Sequence, residues 1–186
     1  MEWHKININD VEEDEYQTFF LLAGNEKRAR ISRYKNIKDR KRSICAEILA
    51  KKAIADRFSV SPRDVVLSAD DRGKPFCKNF EIELSLAHSG DYAVCAISCA
   101  PIGIDIQKIE PYNPRVAKRV CKDAELEAIE KSGDRAAEFI KLWTKKEAAL
   151  KMQGTGVIHS MKHCLDGQQV ETVRFFDYFV SICEKV

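Results

Sequence analysis

In the stretch Leu142-Trp143-Thr144-Lys145-Lys146-Glu147-Ala148-Ala149-Leu150-Lys151, three side chains recur every fourth residue: Trp143, Glu147 and Lys151. On a helix they follow one face, drifting about 40° per step. That face presents an aromatic ring, a carboxylate and an ammonium in a row. Upstream, Ile102-Gly103-Ile104-Asp105-Ile106-Gln107 sets isoleucines at one parity and Gly103, Asp105 and Gln107 at the other. As a strand it buries the isoleucines and projects Asp105 and Gln107 from the opposite face, about 6–7 Å apart. Gly103 leaves space beside Asp105 for a ligand or a backbone. A strand carboxylate and a helix carboxylate can close on a divalent cation. Magnesium takes one or two carboxylates and completes its octahedron with water and phosphate oxygens, a requirement that Asp105 and Glu147 meet. Taken singly, each residue has a plainer reading. Asp105 is then an exposed edge-strand acid, Glu147 and Lys151 a surface pair worth about 0.3–0.5 kcal/mol, and Trp143 core packing.

The elements that must position these groups can be read from periodicity. Trp3 to Ile8 reads as a strand, Val11 to Leu22 as a helix and Ile37 to Phe58 as a long helix with Ile44, Ile48 and Leu49 on its apolar side. Ser61-Pro62 suits a short helical turn, Val65 to Leu67 a strand, and Asp70-Asp71-Arg72-Gly73 a turn. Ile82, Leu84 and Leu86 alternate with polar residues in a half-buried strand, and Tyr92 to Ser98 is its partner, buried on both faces. After Pro101 come a strand at Ile102 to Ile109 and helices near Arg115 to Val120, Ala124 to Lys131 and Arg135 to Gln153. Val170 to Cys183 reads as a terminal hairpin. The fold class is α+β, with Pro101 as the seam between an N-terminal half, 1–100, and a C-terminal half, 101–186. Nothing in the sequence proves that the halves repeat one another.

At 186 residues with 45% hydrophobic composition, the chain can bury one good core or two small fused lobes. The 31 basic and 29 acidic residues leave a formal charge of +2, which excludes a global polyelectrolyte role. Seven scattered cysteines without a Cys-x-x-Cys pair read as reduced thiols and predict a cytoplasmic protein. The first residues carry no apolar signal core, and no apolar run reaches the roughly 20 residues of a membrane span. Three histidines, His4, His159 and His163, have no motif around them and are read as surface or packing residues.

Read together, Gly103-Ile104-Asp105-Ile106 followed by Trp143-x-x-Lys146-Glu147-x-x-x-Lys151 resembles the signature of the 4′-phosphopantetheinyl transferases, closest to their surfactin-synthetase-activating, monomeric two-lobed type. Gly73-Lys74-Pro75, Leu84 to Gly90 and the basic region from Glu26 to Ser43 are family-like and stand in the expected order, so the resemblance spans Glu26 to Gly156. It implies two similar, pseudo-twofold-related lobes, each a small antiparallel sheet packed with helices. It also implies transfer of phosphopantetheine from coenzyme A to a serine of an apo acyl or peptidyl carrier protein, with magnesium as cofactor. Carried over by position, Asp105, Gln107 and Glu147 match metal-site residues, and Glu147 also the proposed base toward the serine. Lys151 matches a proton donor or stabiliser at the leaving phosphate. Lys74, Pro75 and His88 match coenzyme A contacts, with Asp105 on the pyrophosphate side. Lys27, Arg30 and Ser43 align with further nucleotide contacts.

Two positions depart from the family pattern. Gln107 stands where these members usually carry Glu, and Ala87 where Ser commonly precedes His. The neutral amide predicts a weaker hold on metal, and the chain is short for the type after Gly156. Nine basic residues from Lys27 to Arg42 raise nucleic-acid binding as a rival. Tyr34 is the only aromatic among them to stack a base, and that rival leaves Asp105 and Glu147 unexplained. A second rival is a catalytically weakened module that binds coenzyme A or a carrier. The expectation is a transferase acting as a monomer, with neither nucleic acid nor membrane as partner.

Overall fold

The computed structural model describes residues 1–154 and 161–185. Its first half runs β1 (Glu2–Asn7), α1 (Glu13–Leu22), α2 (Asn25–Ile31), α3 (Ile37–Phe58), a small hairpin of β2 (Leu67–Ala69) and β3 (Pro75–Cys77), then β4 (Glu83–Ser89) and β5 (Tyr92–Ser98). The second runs β6 (Ile102–Lys108), α4 (Pro114–Val120), α5 (Asp123–Lys131), α6 (Arg135–Gln153), β7 (Val170–Phe175) and β8 (Tyr178–Glu184). Each half is thus a strand, three helices and a closing hairpin. Spatial order repeats as well: β1-β5-β4 in one sheet and β6-β8-β7 in the other, first, last, middle. Every pairing is antiparallel. Among the described residues, only the first half carries the extra β2–β3 hairpin.

Burial follows strand parity. Ala93, Cys95 and Ile97 of β5 face the helical layer of α3, whereas Val94 and Ala96 join Ile102, Ile104, Ile106, Val180 and Ile182 in a core between the sheets. Beyond the second sheet lies α6, whose Ala148, Ala149 and Met152 pack with Cys183. The long helices are well delimited. Asn36 caps α3 through Lys38 N–H, Asp134 caps α6 through Ala137 N–H, and Gly154 ends α6 in the left-handed region at φ 68°.

Edge strands β4 and β6 meet across the join without a backbone ladder. Ser85 Oγ accepts the Ile104 N–H at 3.0 Å, and Ser89 Oγ accepts the Lys108 N–H at 3.1 Å. Hydroxyls therefore satisfy edge amides that a third strand would otherwise take. A second set of hydroxyls fixes α6: Ser181 on β8 is 2.8 Å from Thr144 and 2.9 Å from Thr172. The fully buried Lys146 adds an anchor, its Nζ reaching Met161 O at 2.8 Å and Glu125 Oε2 at 2.9 Å.

One expected boundary needs correction, and two elements were not expected. Helix α2 was not foreseen, because Asn25–Ile31 is mostly charged and buries only Ile31. The strand expected at Val65 to Leu67 begins at Leu67, since Val65 is a buried cap whose carbonyl accepts from Lys51 at 2.5 Å. The three residues of β3 include Pro75 and were too short to show as a pattern. His159, Thr155 and Gly156 lie outside the described residues. His163 is exposed and faces Asp166 at 3.2 Å, as a surface residue would.

Gly103 explains how α6 comes so close. A Cβ placed there would stand 2.0 Å from Ala148 O and 2.4 Å from Met152 N. The space expected beside Asp105 is filled by a backbone, that of the helix carrying Glu147 and Lys151. Gly103→Ala should lower unfolding free energy by about 3 kcal/mol, the upper end for overpacking, because both obstructing atoms are main chain. Urea denaturation checks this; a loss below about 0.5 kcal/mol would refute the packing account.

Candidate active site

The strand face of Asp105 and the helix face of Lys151 close on each other. Lys151 Nζ lies 2.8 Å from Asp105 Oδ1, 3.1 Å from Ile104 O and 3.5 Å from Leu86 O. One ammonium thus joins a carboxylate to carbonyls of both edge strands. Asp105 is only 4% exposed, and its Oδ2 is buried with no hydrogen-bond partner. Burial pushes its carboxyl above the ordinary range, against the opposing pull of Lys151. Glu147, one turn before Lys151, is also raised, first by burial and then by the negative charge of Asp105. The two carboxylates therefore stand close enough to repel, with one oxygen unsatisfied. A divalent cation relieves both costs.

Gln107 extends the same face, but its Oε1 accepts from Ser89 Oγ at 3.2 Å. Its amide oxygen is engaged in the join between β4 and β6. Among the described residues no group of three or more His, Cys, Asp and Glu side chains is placed to hold a metal. The donor set is two carboxylates, with Gln107 at its side. Trp143 does not line this site; it packs on Phe139 at a centroid distance of 6.0 Å within the helical core of the second half.

A cleft of about 700 Å³ opens beside Asp105 and Lys151. Its walls include Lys27, Arg30, Ser43, Pro75 and His88, so residues far apart in sequence converge there. The Lys74 side chain is turned away to Glu83 at 3.5 Å, although its backbone N–H, bonded to Asp70 Oδ1 at 2.8 Å, helps build the turn that presents Pro75. Glu147 and Gln107 are not on the cleft wall. They flank Asp105 at its end.

The cleft wall carries Lys27, Arg30, Lys78 and Lys151 against Glu26, Glu47 and Asp105. Burial, then Arg42, Lys151 and Lys27, hold the His88 imidazolium pKa below its ordinary value. Burial likewise brings Lys27 from 10.5 down to about 8, partly opposed by Glu47. Arg42 donates to Gly90 O at 2.5 Å and pairs with Asp39, leaving its buried Nε without an acceptor. Cations crowded in a concave, partly dry site favour a polyanion. Sequence reasoning missed Glu47 and Tyr34 on this wall. Glu47 had a readable signal, a lone acid in the apolar run Ile44 to Ala50.

Residues 101–186 match the family model described as 4′-phosphopantetheinyl transferase superfamily, and residues 10–100 match 4′-phosphopantetheinyl transferase, N-terminal. The chain belongs to the 4′-phosphopantetheinyl transferase superfamily. It is similar to 4′-phosphopantetheinyl transferase gsp of Aneurinibacillus migulanus, with 29% identity over 89% of this chain and 70% of the relative. To the transferase Sfp of Bacillus subtilis it is 28% identical over 78% of this chain and 66% of that protein. For psf-1 of Bacillus pumilus the figures are 30%, 73% and 60%. The chain thus spans between 60% and 70% of the length of these three relatives. It is a superfamily member of the Sfp-like type with an α+β fold.

The Asp105–Lys151 contact can be measured directly. In a double-mutant cycle with Asp105→Asn and Lys151→Met, without divalent ions, urea unfolding should give a coupling of about 1–3 kcal/mol. Additivity within about 0.5 kcal/mol would mean that the pair does not hold the join.

Proposed function

We propose that this transferase-family protein moves 4′-phosphopantetheine from coenzyme A to a serine hydroxyl of an apo acyl or peptidyl carrier protein, releasing adenosine 3′,5′-bisphosphate. The observation that carries this reading is the unsatisfied Asp105 Oδ2, buried beside Glu147 at the end of a cationic cleft. Lys27, Arg30, Ser43, Pro75 and His88 bind the nucleotide portion, with Lys74 at the rim. Residues 1–100 form the nucleotide-side lobe, and 101–186 the lobe of the metal ligands and catalytic helix. Because Leu86 and His88 come from one lobe and Asp105 and Lys151 from the other, a single chain completes the site and can act as a monomer; its seven free cysteines suit the cytoplasm.

The donor set suits magnesium: hard oxygens only, two carboxylates, and one buried oxygen lacking a protein partner. Asp105 and Glu147 would hold the ion, with Gln107 beside them. When bound, magnesium supplies positive charge to the pyrophosphate oxygens. Phosphoryl-type transfer needs positioning and charge compensation more than covalent help from the protein. Lys151, already turned toward the join, compensates negative charge on the leaving phosphate side. Glu147, its carboxyl raised by burial and by Asp105, takes the serine proton as the serine oxygen bonds to phosphorus and the pyrophosphate bridge breaks.

One observation favours a weakened coenzyme A or carrier-binding module: the Gln107 oxygen is bonded to Ser89 and brings no charge to the metal. An assay separates the readings. With coenzyme A, magnesium and an apo carrier domain, the carrier serine should gain the phosphopantetheine mass; binding without any gain across several carriers would favour the module.

Two variants test the roles. Glu147→Ala should reduce turnover by about 100-fold or more, the scale of a lost general base. Full retained activity would remove Glu147 from the mechanism. Gln107→Glu adds a charged oxygen and should lower the magnesium concentration for half-maximal rate; an unchanged requirement would show that position 107 does not influence the metal.

A further inference from the structure

A buried carboxylate on the wall of a cleft built for polyanions needs an explanation. Glu47, in the middle of α3, is 6% exposed and lines the cleft. Its charge repels the phosphates the cleft is proposed to hold, and burying a carboxylate is costly unless partners repay it. Its partners are specific. Oε1 accepts the Gly24 N–H at 3.3 Å, and Oε2 lies 3.6 Å from Lys27 Nζ. Gly24 is the residue before α2 and offers no side chain to cap it. Glu47 therefore ties the start of α2 to α3 and faces the α2 lysine that enters the cleft. Lys51, one turn further along α3, is committed to Val65 O, so it does not compete for the cleft.

Resting on the coenzyme A assignment above, we propose that Glu47 is a positioning residue that keeps Lys27 charged and aimed into the cleft for a phosphate of the nucleotide. Without it, the ammonium would stand in a partly dry wall beside like charge. Arg30 on α2 opposes Lys27 directly, and His88 on β4 feels its charge, while Glu47 on α3 is the opposing anion. The balance already brings Lys27 down to about 8, so the wild-type cation is partly lost as pH rises through that value. Removing Glu47 moves that loss to lower pH. The carboxylate thus acts through Lys27, without contacting substrate.

The test is coenzyme A binding by calorimetry from pH 6.5 to 9, together with KM and kcat, for wild type, Glu47→Gln, Lys27→Met and the double variant. In wild type, affinity should weaken above about pH 8; in Glu47→Gln the weakening should begin at lower pH. At pH 7.5 the single variant should bind about 10-fold more weakly, with the loss greater in kcat/KM than in kcat. In the Lys27→Met background, Glu47→Gln should change affinity less than 2-fold. Lys27→Arg should restore binding to Glu47→Gln and flatten its pH profile, because guanidinium stays charged. If Glu47→Gln fails to fold, Glu47→Asp, which keeps the charge but shortens the reach, replaces it and should show a smaller weakening of the same kind. Equal effects of the Glu47 change with and without Lys27, or a pH-independent loss, would overturn the proposal. Absence of coenzyme A binding by the folded wild type would instead overturn the assignment on which it rests.

Discussion

One ammonium group ties both edge strands and α6 together at the join between the two sheets. Lys151 comes from α6, yet its three contacts are a carboxylate on β6 and main-chain carbonyls of β6 and β4. An ammonium has three donors, and here each has an acceptor. The cleft, the carboxylates and the strand edges are thereby held at one point. Ser85 and Ser89 extend this link along the join through edge amides of β6. Gly103 makes it reachable, since a side chain at that place would keep α6 and its lysine away.

The electrostatics of the site follow from this arrangement. Asp105 is kept in a dry position where its negative charge is costly, and Glu147 nearby raises that cost. Lys151 compensates one oxygen, and the other has no protein partner. The cleft has the opposite problem, with Lys27, Arg30, Lys78 and Lys151 on its wall and Glu47 the acid buried beside Lys27. The anionic substrate and divalent cation proposed above would offset both at once. This is local destabilisation placed where binding can relieve it, and the surrounding four-layer core maintains the geometry in the meantime.

Much of this was legible in the residues. Strong alternation in β4 and β6 and long 3.6-residue patterns in α3 and α6 set the main elements, because each buries a continuous face. Asp105, Lys151 and His88 were identified as candidates, and they do converge at one end of the cleft. What stayed hidden depends on tertiary contacts. Helix α2 has almost no apolar face of its own, and its start is tied down by Glu47 from another helix. Trp143 had the right spacing to join Glu147 and Lys151, but its bulk found Phe139. The bond from Ser89 to Gln107 links positions 18 apart in sequence through the join, beyond the reach of any local pattern.

The repeated connectivity of the halves has a consequence beyond the site. Each sheet ends in an exposed-type edge, β4 in one and β6 in the other, and each is the other's cover. Pulled apart, the halves would present unpaired amides and a shared apolar face, the features that recruit foreign strands into aggregates. The fit of β4 against β6 therefore also shields both strand edges from foreign pairing.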